Sequence, residues 1–206
     1  MSRIASPAGG VLIRSRLRLP GILTRIFRSR GSLYLPEYSV EVDRRHNVLG
    51  ILRRVTGPLA GLGRIIPACN IVTDAGDIYF AQRSAGESPT NVFGIFEMYS
   101  AGTPGKGNNR SSFTAIASSQ IAMDGTYPKT NDGDADNTGA GTKVRTARST
   151  YSAASFNHAA ITHGGITNTS PGASEPMLAG WAWAASINKT AADTLKVIHN
   201  AAALGV

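Results

Sequence analysis

The chain has 206 residues, a formal net charge of +8 and a single cysteine, Cys69. That length suits one core-bearing domain, and the lone thiol excludes an intramolecular disulfide framework. Charged residues make up only 17% while glycine is abundant, which disfavours long charged surface helices and favours short strands joined by turns. No apolar run reaches the roughly 18 residues of a membrane-spanning helix, so a soluble chain with no membrane partner is expected.

The charge is unevenly placed. Met1 to Arg64 holds 12 Arg, no Lys and three acids, Glu37, Glu41 and Asp43, whereas the remaining residues are close to neutral. A basic arm over 1-66, able to lie against a negative partner, and a body over 67-206 are therefore expected. An Arg-rich, acid-poor start is also the pattern of an organelle transit peptide. A secretory signal fits less well, because the Arg residues are scattered through Val11 to Arg30.

Within the arm, Val11 to Leu19 alternates Arg14, Arg16 and Arg18 with Leu17 and Leu19, the two-residue period of a strand that could add to another sheet's edge. After Pro20 and Gly21, Ile22, Leu23, Ile26 and Phe27 recur at helical spacing beside Arg25 and Arg28. The expected partner-binding residues are Arg14, Arg16, Leu17, Arg18, Leu19, Ile22, Arg25, Ile26, Phe27 and Arg28. Packing of the arm on its own body is the competing structural reading. Tyr34 to Val42 alternates as a strand. Beyond it Gly50, Gly57, Pro58, Gly61, Gly63 and Pro67 break the apolar stretch, and the domain boundary is set near Pro67.

In the body, Ile71 to Gln82 reads as a strand entering a short helix capped by Thr73 or Asp74. Phe93 to Tyr99 is apolar on both alternating sets apart from Glu97, the pattern of a buried strand. Ser100 to Ser112 and Asp124 to Thr142 are dense in turn formers and are expected as exposed loops. Between them Phe113 to Met123 is expected as one strand, and Lys143 to Tyr151 as another. Gly164-Gly165 within Ala159 to Thr167 suggests a tight hairpin. Strands over Met177 to Ala184 and Thr194 to Ile198 complete a mainly β chain: an antiparallel β-sandwich or barrel body with an extended basic N-terminal arm.

Two stretches carry a resemblance. Asn70-Ile71-Val72-Thr73-Asp74-Ala75-Gly76 resembles the N-hydrophobic-V-T-N-A-G opening of many small structural proteins of tailed bacteriophages. The ending, from Ile161 to Asn168, through Met177 to Gly180, to Ile187 to Val197 (INKTAADTLKV), is similar to theirs in the order of its pieces. His163 and Gly164 depart from the acidic and small residues common there. Asn188 and Asp193 are expected to bridge a turn before Leu195 and Val197 return to the core. The resemblance spans about Asn70 to Val197 and implies a non-enzymatic virion protein. Its partners would be other virion proteins at the capsid surface, neck or tail, in a homo-oligomer or symmetric multi-copy assembly. The arm-first alternative is nucleic-acid binding through phosphates, although no aromatic residue precedes Phe27 to stack on bases.

Asp132, Asp134 and Asp136 alternate as calcium-loop oxygen ligands do, but Asn137 and Lys143 stand where an EF-hand needs Gly and Glu, so a solvated acidic loop is expected. Gly102 to Gly107 contains Lys106 without the following Ser or Thr of a phosphate loop. Cys69 with His46, and His158 with His163, lack a third partner for a metal or a nucleophilic site. Trp181 and Trp183 share a strand face and are expected as core anchors. No cofactor is expected.

Overall fold

The computed structural model describes residues 46–169, 172 and 174–202; the side chain of His46 is outside that set, as are the ten expected partner-binding residues and Tyr34 to Val42. Among the described residues ten strands and one α-helix follow in order, with a short 3-10 helix at Arg110–Ser112: β1 (His46–Arg54), β2 (Gly63–Val72), α1 (Asp74–Ser84), β3 (Phe93–Gly102), β4 (Phe113–Ala115), β5 (Ile121–Ala122), β6 (Lys129–Thr130), β7 (Val144–Tyr151), β8 (His158–Asn168), β9 (Met177–Lys189) and β10 (Asp193–Ala202). The strands form one antiparallel sheet in the order β4-β3-β8-β9-β2-β1-β10-β7-β6, with β5 added to β3. The sheet curls into a half-barrel, so the barrel side of the expected architecture is the nearer one. Its far strands meet after β5: Met123 N–H donates to the Gly94 carbonyl at 2.9 Å, and Asp124 N–H donates to that of Arg148 at 2.9 Å.

Two-residue alternation assigns the faces. Leu195, Val197 and His199 of β10 stand in register with Tyr151, Ser149 and Ala147 of β7 and with Leu52, Gly50 and Val48 of β1, all on the concave side. There Trp181 lies 6.1 Å from Phe96 and 5.8 Å from Trp183, edge to face, and stacks on His199 at 6.5 Å. Both tryptophans are core anchors, as expected. A smaller cluster of Tyr99, Phe113 and Met177 lies on the other face of β3 and β8.

Three expectations need correcting. The boundary near Pro67 falls inside β2, and residues 46–66 belong to the sheet, where β1 pairs with both β2 and β10. Pro67 stands one residue before the β2–β9 ladder begins at Ala68, a place where a missing donor disrupts pairing least. Gly164-Gly165 is no hairpin: β8 runs straight through it, and a Cβ on Gly164 would lie 2.6 Å from the Trp181 indole, so the glycine makes room for the core ring. Phe113 to Met123 is not one strand either, because Ser118 takes φ 60° between β4 and β5.

At the end of β2, Thr73 caps α1 by accepting from the Gly76 N–H at 3.1 Å. Its hydroxyl donates to the Met177 carbonyl, and its N–H donates to that of Leu178 at 3.1 Å. A side chain on Gly76 would overlap the Leu178 carbonyl oxygen and sit 2.7 Å from Val72 Cγ1, so glycine lets the helix touch the sheet backbone. The Asn70–Gly76 stretch is thus a docking joint between β2, α1 and β9.

Candidate interaction surfaces and buried polar networks

The β1–β2 connection projects from one end of the half-barrel. Gly57 and Gly61, at φ 81° and 88°, provide the left-handed turns, and Arg54 N–H donates to the Leu62 carbonyl at 3.0 Å across the base. Val55 N–H reaches the Ala192 carbonyl at 2.8 Å in the β9–β10 turn. Arg54 Nε pairs with the buried Asp193 at 2.8 Å, and Arg53 pairs with Asp136. Asp193 also accepts from Thr190 N–H at 3.0 Å and from its hydroxyl at 2.6 Å. Thr190, rather than the expected Asn188, is therefore its turn partner. On this braced frame Leu59 and Leu62 are 58% and 63% exposed, with Ile65 and Val55 also turned to solvent. From Arg44 to Thr73 the sequence contains no acid.

The loop expected to be solvated and acidic instead lies on the convex face of β7, β10 and β1. Asp132 is only 5% exposed and accepts from the Tyr127 hydroxyl at 2.8 Å, from Asn137 Nδ2 at 3.0 Å and from Lys129 at 3.1 Å. Burial pushes its carboxyl upward, but the hydrogen bonds from Asn137, Tyr127 and Lys129 outweigh this and hold it at about 2. Asp134 binds Arg148 at 2.8 Å and Lys196 at 2.7 Å, and Asp136 binds Lys196 at 2.8 Å. Asp134 and Asp136 thus turn to cations on β1, β7 and β10, and Asp132 to Lys129 of β6, instead of converging on one ion. Among the described residues no group of three acidic, His or Cys side chains is placed to share a metal.

Asp124 belongs to the same surface, binding Arg148 Nε at 2.6 Å and Thr150 N–H at 3.0 Å. Asn137 extends it through Asn200 Oδ1 at 3.1 Å, while Asn200 Nδ2 donates to Asn47 at 2.9 Å.

A second network was visible in the sequence only as the odd acid of β3. Glu97, 1% exposed, accepts from Arg110 Nε at 2.7 Å and Nη2 at 2.8 Å, from the Tyr99 hydroxyl at 2.9 Å and from Gln120 at 3.1 Å. Burial, then the Glu97 charge, drives the Tyr99 phenol far above its ordinary value. Arg110 comes from the loop expected to be exposed, so that loop is fastened over the convex face of β3. This bidentate pair locks geometry, and its charges are compensated in place.

The two β8 histidines are not brought together, and the His46 side chain considered with Cys69 lies outside the described residues. His158 and His163 lie five residues apart on β8, about 17 Å along a strand. His158 Nδ1 takes the Ala160 N–H at 3.1 Å, and His163 Nδ1 meets the Thr162 hydroxyl at 2.8 Å. Cys69 is exposed. Lys106 pairs with Asp77 at 2.6 Å, and its carbonyl accepts from Asp74 N–H at 2.9 Å, tying the Gly102–Gly107 loop to the start of α1.

The architecture is that of a mainly β half-barrel whose convex face is covered by clamped loops. No family model, curated protein or solved structure matches the chain.

Proposed function

We propose that the chain is a non-enzymatic structural protein of a tailed-bacteriophage particle, attaching to neighbouring capsid, neck or tail subunits and stabilising their assembly. The observation that carries this reading is the β1–β2 hairpin, a rigidly braced element that presents Val55, Leu59, Leu62 and Ile65 to solvent. Exposed apolar groups on a fixed frame suit docking, because little ordering entropy remains to be lost on contact. The sequence resemblance over Asn70 to Val197 supports the virion setting, and its motif residues serve the fold as the helix joint and the Thr190–Asp193 turn.

Magnitude argues for several contacts acting together. Burying the exposed part of the four hairpin side chains contributes about 3–6 kcal/mol, below the roughly 8 kcal/mol of a micromolar complex. The Arg-rich segment from Arg14 to Arg28 adds electrostatic and apolar anchoring, and repetition over many copies adds avidity.

The test is incorporation into empty particles. Phe27→Ala and Leu19→Ala should weaken it at least as much as Arg16→Ala, by about 1–3 kcal/mol for a buried anchor. Normal incorporation of both apolar variants, together with salt-sensitive binding of the isolated arm to duplex DNA, would favour a phosphate-binding protein instead.

A further inference from the structure

Every exposed large hydrophobic side chain among the described residues lies in one of two places. Four are on the hairpin, and the other two are Ile78 of α1 and Val92 at the entrance to β3, 55% and 53% exposed. These two belong to one neighbourhood. Gln82, one helical turn beyond Ile78, accepts from Thr90 N–H at 3.2 Å, and Thr90 is two residues before Val92. Tyr79 holds Phe93 edge to face at 5.4 Å.

The two patches differ in charge. The hairpin offers Arg64, which has no ion pair among the described residues, in a stretch of sequence free of acids. The helix patch offers Asp74 and Glu87, both exposed and without a cation partner among the described residues, against one exposed cation, Arg83, which lies over the Tyr79 ring at 5.7 Å. Asp74 is on the same helical stripe as Ile78, four residues before it.

They also face opposite ways along the barrel. The hairpin leaves the first residue of β2 and α1 leaves its last, and ten strand residues separate them by about 30 Å. One molecule therefore cannot fold its hairpin onto its own helix patch, whereas a second copy can.

We propose that the protein associates head to tail with itself, the basic apolar hairpin of one copy seating on the acidic apolar α1–β3 entrance of the next. This rests on the multi-copy assembly reading and specifies its contact. The contact is heterologous, so repetition closes a ring or extends a filament, and each single junction is weak enough to need closure or a scaffold for stability.

The experiment is sedimentation of the full chain from about 1 µM to about 500 µM, with Leu62→Asp in the hairpin and Ile78→Asp in the helix patch. Both positions are exposed, and unchanged thermal unfolding establishes that each variant folds. The wild type should form concentration-dependent oligomers, and each variant alone should need at least tenfold higher concentration. An equimolar mixture of the two should recover one junction and stop at heterodimers, since each variant keeps the half that the other lost.

Three results would overturn the proposal. In the first, the wild type stays monomeric throughout while Leu62→Asp blocks entry into particles; the assembly reading then survives with a different protein on the hairpin. In the second, Leu62→Asp abolishes association, Ile78→Asp does not and the mixture rescues nothing, which is a hairpin-to-hairpin contact. In the third, a monomeric wild type also fails to enter particles, and the assembly reading falls with it.

Discussion

Replacing Gly76 with alanine reverses the sign that helix propensity assigns. In an exposed helix interior Gly→Ala gains about 1 kcal/mol, because glycine has more backbone freedom to lose. Here the added methyl meets the Leu178 carbonyl oxygen, a backbone atom of β9, and Val72 Cγ1 at 2.7 Å. Neither can swing aside as a flexible side-chain end could, so α1 must lift from the sheet. That movement strains the Thr73 bonds to the carbonyls of Met177 and Leu178 and loosens Tyr79 from Phe93. Overpacking of this kind costs about 1–3 kcal/mol, and weakening a buried capping residue adds about 1 kcal/mol. Set against the propensity gain, Gly76→Ala should destabilise the chain by about 2 kcal/mol, lowering Tm by about 4–8 °C for a body of this size. Denaturant unfolding of the full chain measures it, with Ala81→Gly on the exposed side of α1 as control, expected to cost about 1 kcal/mol. A Gly76→Ala protein as stable as the parent, or more stable, would refute the close-contact account of this joint.

Two further outcomes follow from the buried charges. The Asp132 carboxyl sits at about 2 in the folded chain against about 4 when unfolded. The unfolded state therefore binds more protons between those values, and a contribution of about 2 kcal/mol, fully present above pH about 4, is lost as the pH falls toward 2. Asp132→Asn should flatten that part of the stability curve, and equal slopes for variant and parent in acid denaturation would count against the assignment. Arg110→Met leaves Glu97 buried without its cation and should cost about 3 kcal/mol by chemical denaturation. An Arg110→Met protein as stable as the parent would show that the buried pair does not depend on its cation.

What the sequence revealed depended on how local the controlling contacts are. The Thr73 cap, the buried strand from Phe93 and the strands around Trp181 and Leu195 were legible, since cap chemistry and alternation are written within a few residues. β1 and β2 were not, because Gly50 and Pro67 read as breakers. The reason for Gly50 lies elsewhere in the chain: a Cβ there would come within 3.0 Å of Trp183. Gly164 was mistaken for a turn for the same cause. The acidic loop looked solvated because the cations of Asp134 and Asp136 lie outside it: Arg53, Arg148 and Lys196 sit on three different strands. The exposed hairpin carried a signal in its acid-free run of Leu, Val and Ile, but only the sheet shows which of them remain outside.

The central claim is that many copies of this protein hold a phage particle together, and cryo-EM reconstruction of intact particles tests it most directly. The account predicts the half-barrel at symmetry-related positions, its hairpin tip buried at Leu59 and Leu62 against a neighbouring α1–β3 entrance. Purified particles that lack the chain altogether would contradict it.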